Sequence, residues 1–295
     1  MTAPRELSLA GGRLAALAWG DEDAATWLAL HGWLDNAASF ARLAPRLVER
    51  LGVRVVAIDF AGHGHSAHRE GDYALWDYCH DLLDAADALG LDRLNLLAHS
   101  MGAGVAGLAA AALPERLERL VLLDGLGAVT TPADQVPAQL RRGLLAHRRP
   151  PSRAPHYPDS ETAVAARVAG GATPIDAETA EPLVVRNLAA LPGGRVGLRT
   201  DPRLVRPSPV RLDPAQVRAL LGAVRCPTLL VEGAQGILGD TERARHAREA
   251  LPGLVRRVLP GGHHLHLEPR AVEAVAETII AWWRDTRALE KESMA

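Results

Sequence analysis

The sequence predicts an α/β protein built on a large, mostly parallel β-sheet with helices on both faces. Short continuous apolar runs alternate with helical patterns in the first and last parts of the chain, as expected of strands buried on both sides. The 295 residues are 48% hydrophobic, enough for one large core with an inserted segment. A strand pattern also turns into a helix pattern across a single tight turn at Ser100.

The first 124 residues contain six predicted strands and form the first part of the core. Apolar runs predict strands at residues 7–10, 14–19 and 26–30, followed by a helix near 39–51 and a strand at 53–59. A helix around 73–89 then leads into a strand at 94–98. A helix of small residues at 102–113 leads into the sixth strand at 120–124.

The pattern breaks down over residues 125–215, where Pro, Arg, Ala and Gly dominate and β-branched runs are lacking. We interpret this segment as a mostly helical cap inserted after the sixth strand. Regular alternation resumes in residues 216–295, the second part of the core. Strands are predicted there at 227–231 and 255–259, with helices near 240–251 and 269–289.

Composition and charge exclude several classes of partner. The chain has 33 Lys and Arg against 35 Asp and Glu, a net charge of −2, so no positive excess attracts nucleic acid or a membrane surface. Two distant cysteines form neither a disulfide framework nor a metal-ligand pattern. No apolar run has the form of a signal peptide or the length of a bilayer span. We expect a cytoplasmic protein with a small-molecule substrate; its oligomeric state is not predicted.

The turn at Ser100, in the run LNLLAHSMGAG of residues 94–104, has the form of a nucleophile elbow, G-x-S-x-G. Gly102 stands two residues after the serine, and Ala98 replaces the first glycine. Small residues are needed at both positions because the turn brings them against the neighbouring chain.

A serine nucleophile needs a base, and His263 in the segment LPGGHHLHLEP of residues 259–269 is the best candidate. It follows the last predicted strand, so it lies at the same sheet edge as Ser100. The alternative is a polar loop or a metal site of His263, His264 and His266. We favour the base and predict no metal, since no carboxylate at a matching spacing is evident.

The oxyanion formed by attack on a carbonyl needs preorganised N–H donors. Trp33, directly after the third strand, and Met101, directly after Ser100, are predicted to supply them from the backbone. We expect His31, His99 and His264 to line the substrate pocket.

A second turn, residues 59–66, carries Gly62 and Gly64 after a strand but lacks the third glycine of a dinucleotide fingerprint. That fingerprint also requires an acidic residue at the end of the next strand, and this chain has none there. We interpret this segment as a tight structural turn and predict no cofactor.

Taken in chain order, these segments resemble the α/β-hydrolase superfamily. The stretches HGWLDNAASF (31–40), DFAGHGHS (59–66), LLDG (122–125), RTDPRL (199–204) and PGGH (260–263) resemble the serine hydrolase-like, or kraken-type, family. The resemblance implies an eight-stranded, mostly parallel sheet flanked by helices, a helical cap after the sixth strand, and a Ser-His-acid triad.

The acid of that triad departs from the common pattern. Most members of the superfamily place it after the seventh strand, where this chain has Gly236. Some relatives carry it at the end of the sixth strand, and the residue there is Asp124. We predict Asp124 as the triad acid; Asp240, Glu232 or no functional acid are the alternatives.

These residues predict a serine hydrolase of carboxylesterase type that cleaves a small ester or related acyl compound through an acyl-enzyme on Ser100. The same triad also serves carbon–carbon bond hydrolysis and cofactor-free perhydrolysis, which fold alone does not separate. A catalytically silent binding protein is the alternative from another class. Dehalogenase and epoxide hydrolase activities are disfavoured because those relatives use an Asp nucleophile.

Overall fold

A computed structural model describes residues 3–150, 152, 154–170 and 173–294. Within them, eight strands form one sheet. The strands are β1 (Arg5–Leu9), β2 (Leu14–Trp19), β3 (Thr26–Leu30), β4 (Arg54–Ile58), β5 (Leu94–His99), β6 (Leu117–Leu123), β10 (Thr228–Gly233) and β11 (Val255–Leu259). Their order in the sheet is β1-β2-β4-β3-β5-β6-β10-β11. Strand β2 is antiparallel to both of its neighbours, and the remaining pairs are parallel. The predicted fold class is confirmed.

Side chains alternate across this sheet and build a core on each face. In β3, Leu28 and Leu30 enter one cluster while Trp27 enters the other, where its ring packs 4.5 Å from that of Trp283. Helices cover both faces: α1 (Leu43–Leu51) and α9 (Val272–Met294) lie on one, and α2 (Asp77–Ala88), α3 (Met101–Ala112), α7 (Pro214–Ala223) and α8 (Glu242–Ala250) on the other.

The helices of the described ranges are each too short or too polar to cross a bilayer.

Between β6 and α7 the chain forms the inserted segment, here called the cap. The described residues of the cap form three α-helices, α4 (Val136–His147), α5 (Ser160–Ala169) and α6 (Ala177–Arg186). It also contains a small antiparallel sheet that the sequence did not predict, formed by β7 (His156–Tyr157), β8 (Leu188–Ala190) and β9 (Val196–Leu198). These strands have two or three residues each, too few for an alternating pattern to register.

The cap leaves and rejoins the core at neighbouring points. The Thr131 amide donates to the Leu212 carbonyl at 3.0 Å, so the two ends of the cap are hydrogen-bonded to each other. Helix α7 then begins at Pro214, at the predicted end of the cap. Residues 1, 2, 151, 153, 171, 172 and 295 belong to the predicted segments but lie outside the described residues.

An ion pair fastens the cap to the core. Arg186, at the end of α6, donates to the carboxylate of Asp59 at 2.8 Å and to that of Glu6 at 2.7 Å. The Asp59 side chain is fully buried and also accepts the amides of Ala37 and His65. The predicted structural turn at residues 59–66 therefore also serves as the cap's attachment point.

Candidate active site

Ser100 lies in a sharp turn between β5 and α3, at the carboxyl end of the sheet. Its φ of 52° places a residue with a side chain in the left-handed region, which costs backbone energy. The amide of Gly102 donates to the His31 carbonyl at 3.1 Å, and a Cβ at this position would lie 2.3 Å from the Leu30 carbonyl oxygen. Close packing against the end of β3 therefore requires glycine at 102, as the elbow pattern predicted.

The structure brings Ser100, His263 and Asp124 together. The Nε2 atom of His263 lies 2.9 Å from the Ser100 hydroxyl oxygen, and its Nδ1 lies 2.7 Å from an Asp124 carboxylate oxygen. These side chains follow β5, β6 and β11, strands that are far apart in sequence but end at one edge of the sheet. Both ring nitrogens of His263 thus have the partners that a general base requires.

Asp124 is held in place by the loop that follows β10. Its carboxylate is fully buried and accepts the amides of Gly233 at 3.2 Å and Ile237 at 2.9 Å. A Cβ on Gly236 would lie 2.1 Å from the same carboxylate. The glycine that occupies the usual acid position therefore provides the space in which Asp124 sits.

The two alternative acids lie elsewhere. Glu232 is buried and forms ion pairs with Arg248 and Arg256 at 2.8 and 2.9 Å. Asp240 has an 89% exposed side chain whose nearest cation is Arg248. Neither contacts His263, so the structure places Asp124 alone of the three in reach of the imidazole.

Burial controls the basicity of His263. Removal from water lowers the pKa of His263 below its ordinary value of 6.5, and the nearby His99 ring adds to this effect. The hydrogen bond and charge of Asp124 raise the pKa and offset part of the decrease. The imidazole is consequently neutral at pH 7, the state in which it accepts a proton.

Trp33 and Met101 border the same space as the Ser100 hydroxyl. Within the described part of the chain, neither backbone amide donates to another group. The indole Nε1 of Trp33 donates to the Leu204 carbonyl at 3.0 Å, which ties the loop after β3 to the returning end of the cap. Amides that are free of other partners beside the serine are one requirement of an oxyanion hole, and the assignment of Trp33 and Met101 to it stays a prediction.

Of the three histidines expected in the pocket, only His264 lines the cavity; His31 and His99 are fully buried beside it. His31 accepts the Phe60 amide through Nε2 and faces the Gly32 carbonyl through Nδ1 at 2.7 Å. Burial lowers the pKa of His31 to about 4. This ring therefore supports the turn that precedes Trp33 and does not face a substrate.

A buried carboxylate that the sequence reasoning missed lies among these histidines. Asp35 is 3.1 Å from His264 Nε2 and 3.4 Å from His99 Nδ1, and His99 Nε2 donates to the His263 carbonyl at 2.9 Å. Across the described ranges, this is the one group of three side chains spaced as metal ligands. The same contacts satisfy a buried carboxylate and support the backbone of His263. Asp35 lies within the HGWLDN stretch, which was the available signal.

Ser100 opens into a cavity of about 1220 Å³ between the core and the cap. The core contributes the loops after β3, β4, β5, β6, β10 and β11, and the cap contributes residues from α4, α5 and α6. Apolar side chains from both parts line it, among them Leu34, Trp76, Val129, Leu183 and Ile237.

Comparisons with known proteins agree with this architecture. Residues 28–269 match the family model described as alpha/beta hydrolase fold. A serine hydrolase-like protein of Dictyostelium discoideum is 35% identical over 86% of this chain and 74% of its own. The crystal structure of the hypothetical protein PA1622 from Pseudomonas aeruginosa PAO1 matches this chain with a TM-score of 0.87. The two sequences are 47% identical, and the match covers 96% of this chain and all of that one. The thioesterase domain from the curacin biosynthetic pathway is 26% identical over 94% of this chain and 98% of its own, with a TM-score of 0.78. The chain therefore belongs to the α/β-hydrolase superfamily and, within it, to the serine hydrolase-like family.

Proposed function

We propose that this protein is a serine hydrolase of carboxylesterase type, which cleaves a small ester or related acyl compound. The observation that supports this most strongly is the unbroken chain of contacts from Asp124 through His263 to the Ser100 hydroxyl. The cavity above the serine, enclosed by the cap, favours a small-molecule substrate.

The proposed reaction proceeds in two halves. Ser100 Oγ attacks the ester carbonyl while its proton passes to His263 Nε2, and the amides of Trp33 and Met101 stabilise the oxyanion. The tetrahedral intermediate collapses, and His263 gives the proton to the departing alcohol. Water then attacks the acyl-enzyme with His263 as base, which releases the acid and restores the serine. Asp124 holds the imidazole with its proton on Nδ1.

Active-site labelling tests the proposal. A fluorophosphonate probe forms a covalent bond with an activated serine, so we expect it to label the wild-type protein and not Ser100→Ala. Ser208 lines the same cavity without a histidine contact, which makes Ser208→Ala the matched control that keeps labelling. If the folded wild-type protein is not labelled by the probe and hydrolyses no p-nitrophenyl ester, the alternative of a catalytically silent binding protein is favoured.

A further inference from the structure

The cavity wall carries an excess of positive charge. Among the residues that the structure describes, two aspartates line it, and both already have partners: Asp35 contacts His264, and Asp201 accepts from Arg203 and Tyr73. The same described lining contains five arginines, namely Arg142, Arg167, Arg206, Arg211 and Arg243. The chain as a whole has a net charge of −2, so the positive excess is a local feature of this cavity wall.

Arg211 stands out among the five. Its side chain is only partly exposed, yet within the described ranges it makes no hydrogen bond and no ion pair. Arg167 and Arg206, which are also partly exposed, each donate to backbone carbonyls. Arg186, a buried arginine elsewhere in the chain, is neutralised by Asp59. Arg211, by contrast, stands on a cavity wall with its N–H donors available to an anionic ligand.

Arg142, in α4, is a second arginine of the same cavity wall. Its described contact is a hydrogen bond to the amide oxygen of Gln139 in the same helix, which leaves its charge uncompensated. Burial, and after it the charge of Arg142, lower the pKa of Arg211 from its ordinary value. Both side chains line the same cavity, so their two positive charges add there.

Close packing of the cap creates this pair. A Cβ on Gly143 would lie 2.4 Å from the Cα of Pro209, so α4 lies directly against the returning end of the cap. Gln139 also donates to the Ser208 carbonyl across the same contact. Arg142 is next to Gly143, and Arg211 is two residues after Pro209, so this backbone contact brings together the two segments whose arginines line the cavity.

We propose that Arg211 and Arg142 form a binding site for the anionic end of the substrate, so that the preferred ester or acyl compound carries a carboxylate or phosphate remote from the scissile bond. Planar guanidiniums bind both groups through paired N–H donors. This inference rests on the proposed function for the site of cleavage, but the anion site itself is testable without turnover.

The first test compares an acidic and a neutral ester of equal length. We expect the kcat/KM of mono-p-nitrophenyl suberate to exceed that of its methyl ester by about tenfold in the wild type, which corresponds to about 1.4 kcal/mol. Arg211→Gln should reduce the ratio to about one, Arg142→Gln should reduce it partly, and Arg211→Lys should retain part of it. Arg225→Gln, at an exposed position just after α7 and outside the cavity, is the matched control that keeps the wild-type ratio. A wild-type ratio of one or less would overturn the proposal, as would a ratio that the Arg211 and Arg142 substitutions leave unchanged.

The second test measures binding alone. Calorimetric titration of Ser100→Ala with hexyl phosphate and with hexanoate should show binding that the added Arg211→Gln change removes, and the tighter ligand identifies the anion as phosphate or carboxylate. If neither ligand binds, the anion site is wrong even when neutral esters are cleaved. If ligands bind but no ester is cleaved and no probe labels Ser100, the anion site stands and the proposed hydrolase activity fails.

Discussion

At the residue scale, the two nitrogens of His263 have different partners, and this determines the position of its proton. A carboxylate accepts hydrogen bonds, so the Nδ1–H donates to Asp124 and the Nε2 lone pair faces the Ser100 hydroxyl. The tautomer that a general base needs is therefore fixed by the fold before any substrate arrives.

Replacing Asp124 by Asn should remove this control. The amide nitrogen of Asn can donate to Nδ1 and stabilise the wrong tautomer, so we expect kcat for a p-nitrophenyl ester to fall by about 10⁴-fold, as in other serine triads. Asp240→Asn is the control, because that exposed side chain does not touch His263. A loss of activity in the Asp240 variant with normal rates in the Asp124 variant would contradict the proposed triad.

The lowered pKa of His263 has a consequence for the pH–rate profile. A base whose pKa lies below 6.5 stays neutral to more acidic pH, so the acid-side inflection of kcat/KM should lie below pH 6.5. Exposed His246 offers a control, and His246→Asn should leave the profile unchanged. An inflection above pH 6.5 would contradict this prediction.

Ser100 and His263 could be proposed from the sequence because each stands in a local pattern, a strand-to-helix turn and a glycine-rich loop. Asp35 could not, because its partner His264 is 229 residues away and only the fold brings them together. Local patterns indicate backbone shape and leave tertiary pairs of polar groups undetermined.

At the scale of elements, the loop after β10 determines which residue can act as the acid. Its Ile237 amide, together with the Gly233 amide at the end of β10, donates to Asp124, and its Gly236 leaves room for the carboxylate. A loop without a side chain at 236 and an acid at the end of β6 therefore depend on each other.

Gly236→Ala tests this dependence. The added Cβ would meet the Asp124 carboxylate at 2.1 Å and displace it from His263, so we expect kcat/KM to fall by about 100-fold. Gly71→Ala is the control, since no atom lies within 4 Å of its added Cβ. Equal activity in the two variants, measured with one neutral ester, would show that the loop can relax around the methyl group.

The central strands β3 to β6 and β10 were predictable because buried parallel strands are largely continuous apolar runs. In the cap, β8 has the sequence Leu-Ala-Ala and β9 has Val-Gly-Leu, neither of which is typical of a strand in isolation. Each has only three residues, so periodicity offered no signal for their pairing.

At the scale of the whole molecule, Arg186 joins the cap to the core across a buried contact. Because its guanidinium binds Asp59 beneath the loop that follows β4, the stability of the core depends in part on a cap residue.

Arg186→Ala should therefore lower the free energy of unfolding, measured in urea, by about 3 kcal/mol, since it leaves a buried carboxylate without its cation. The amides of Ala37 and His65 that remain on Asp59 keep the loss at the low end of the usual range. Arg5→Ala, which removes an exposed pair with Glu22, should change it by less than about 0.5 kcal/mol. Equal effects of the two substitutions would mean that the contact does not secure the cap.

The hydrogen bond between Thr131 and Leu212 has an evolutionary consequence. A segment whose two ends meet at one point can change length and sequence without altering the strand order of the sheet that carries it. Descendants of one ancestor could thus acquire new specificities by remodelling the segment between these residues while Ser100, His263 and Asp124 stay where they are. Grafting that segment between relatives, with the junctions at this hydrogen bond and the Asp59 contact preserved, offers a route to new hydrolases.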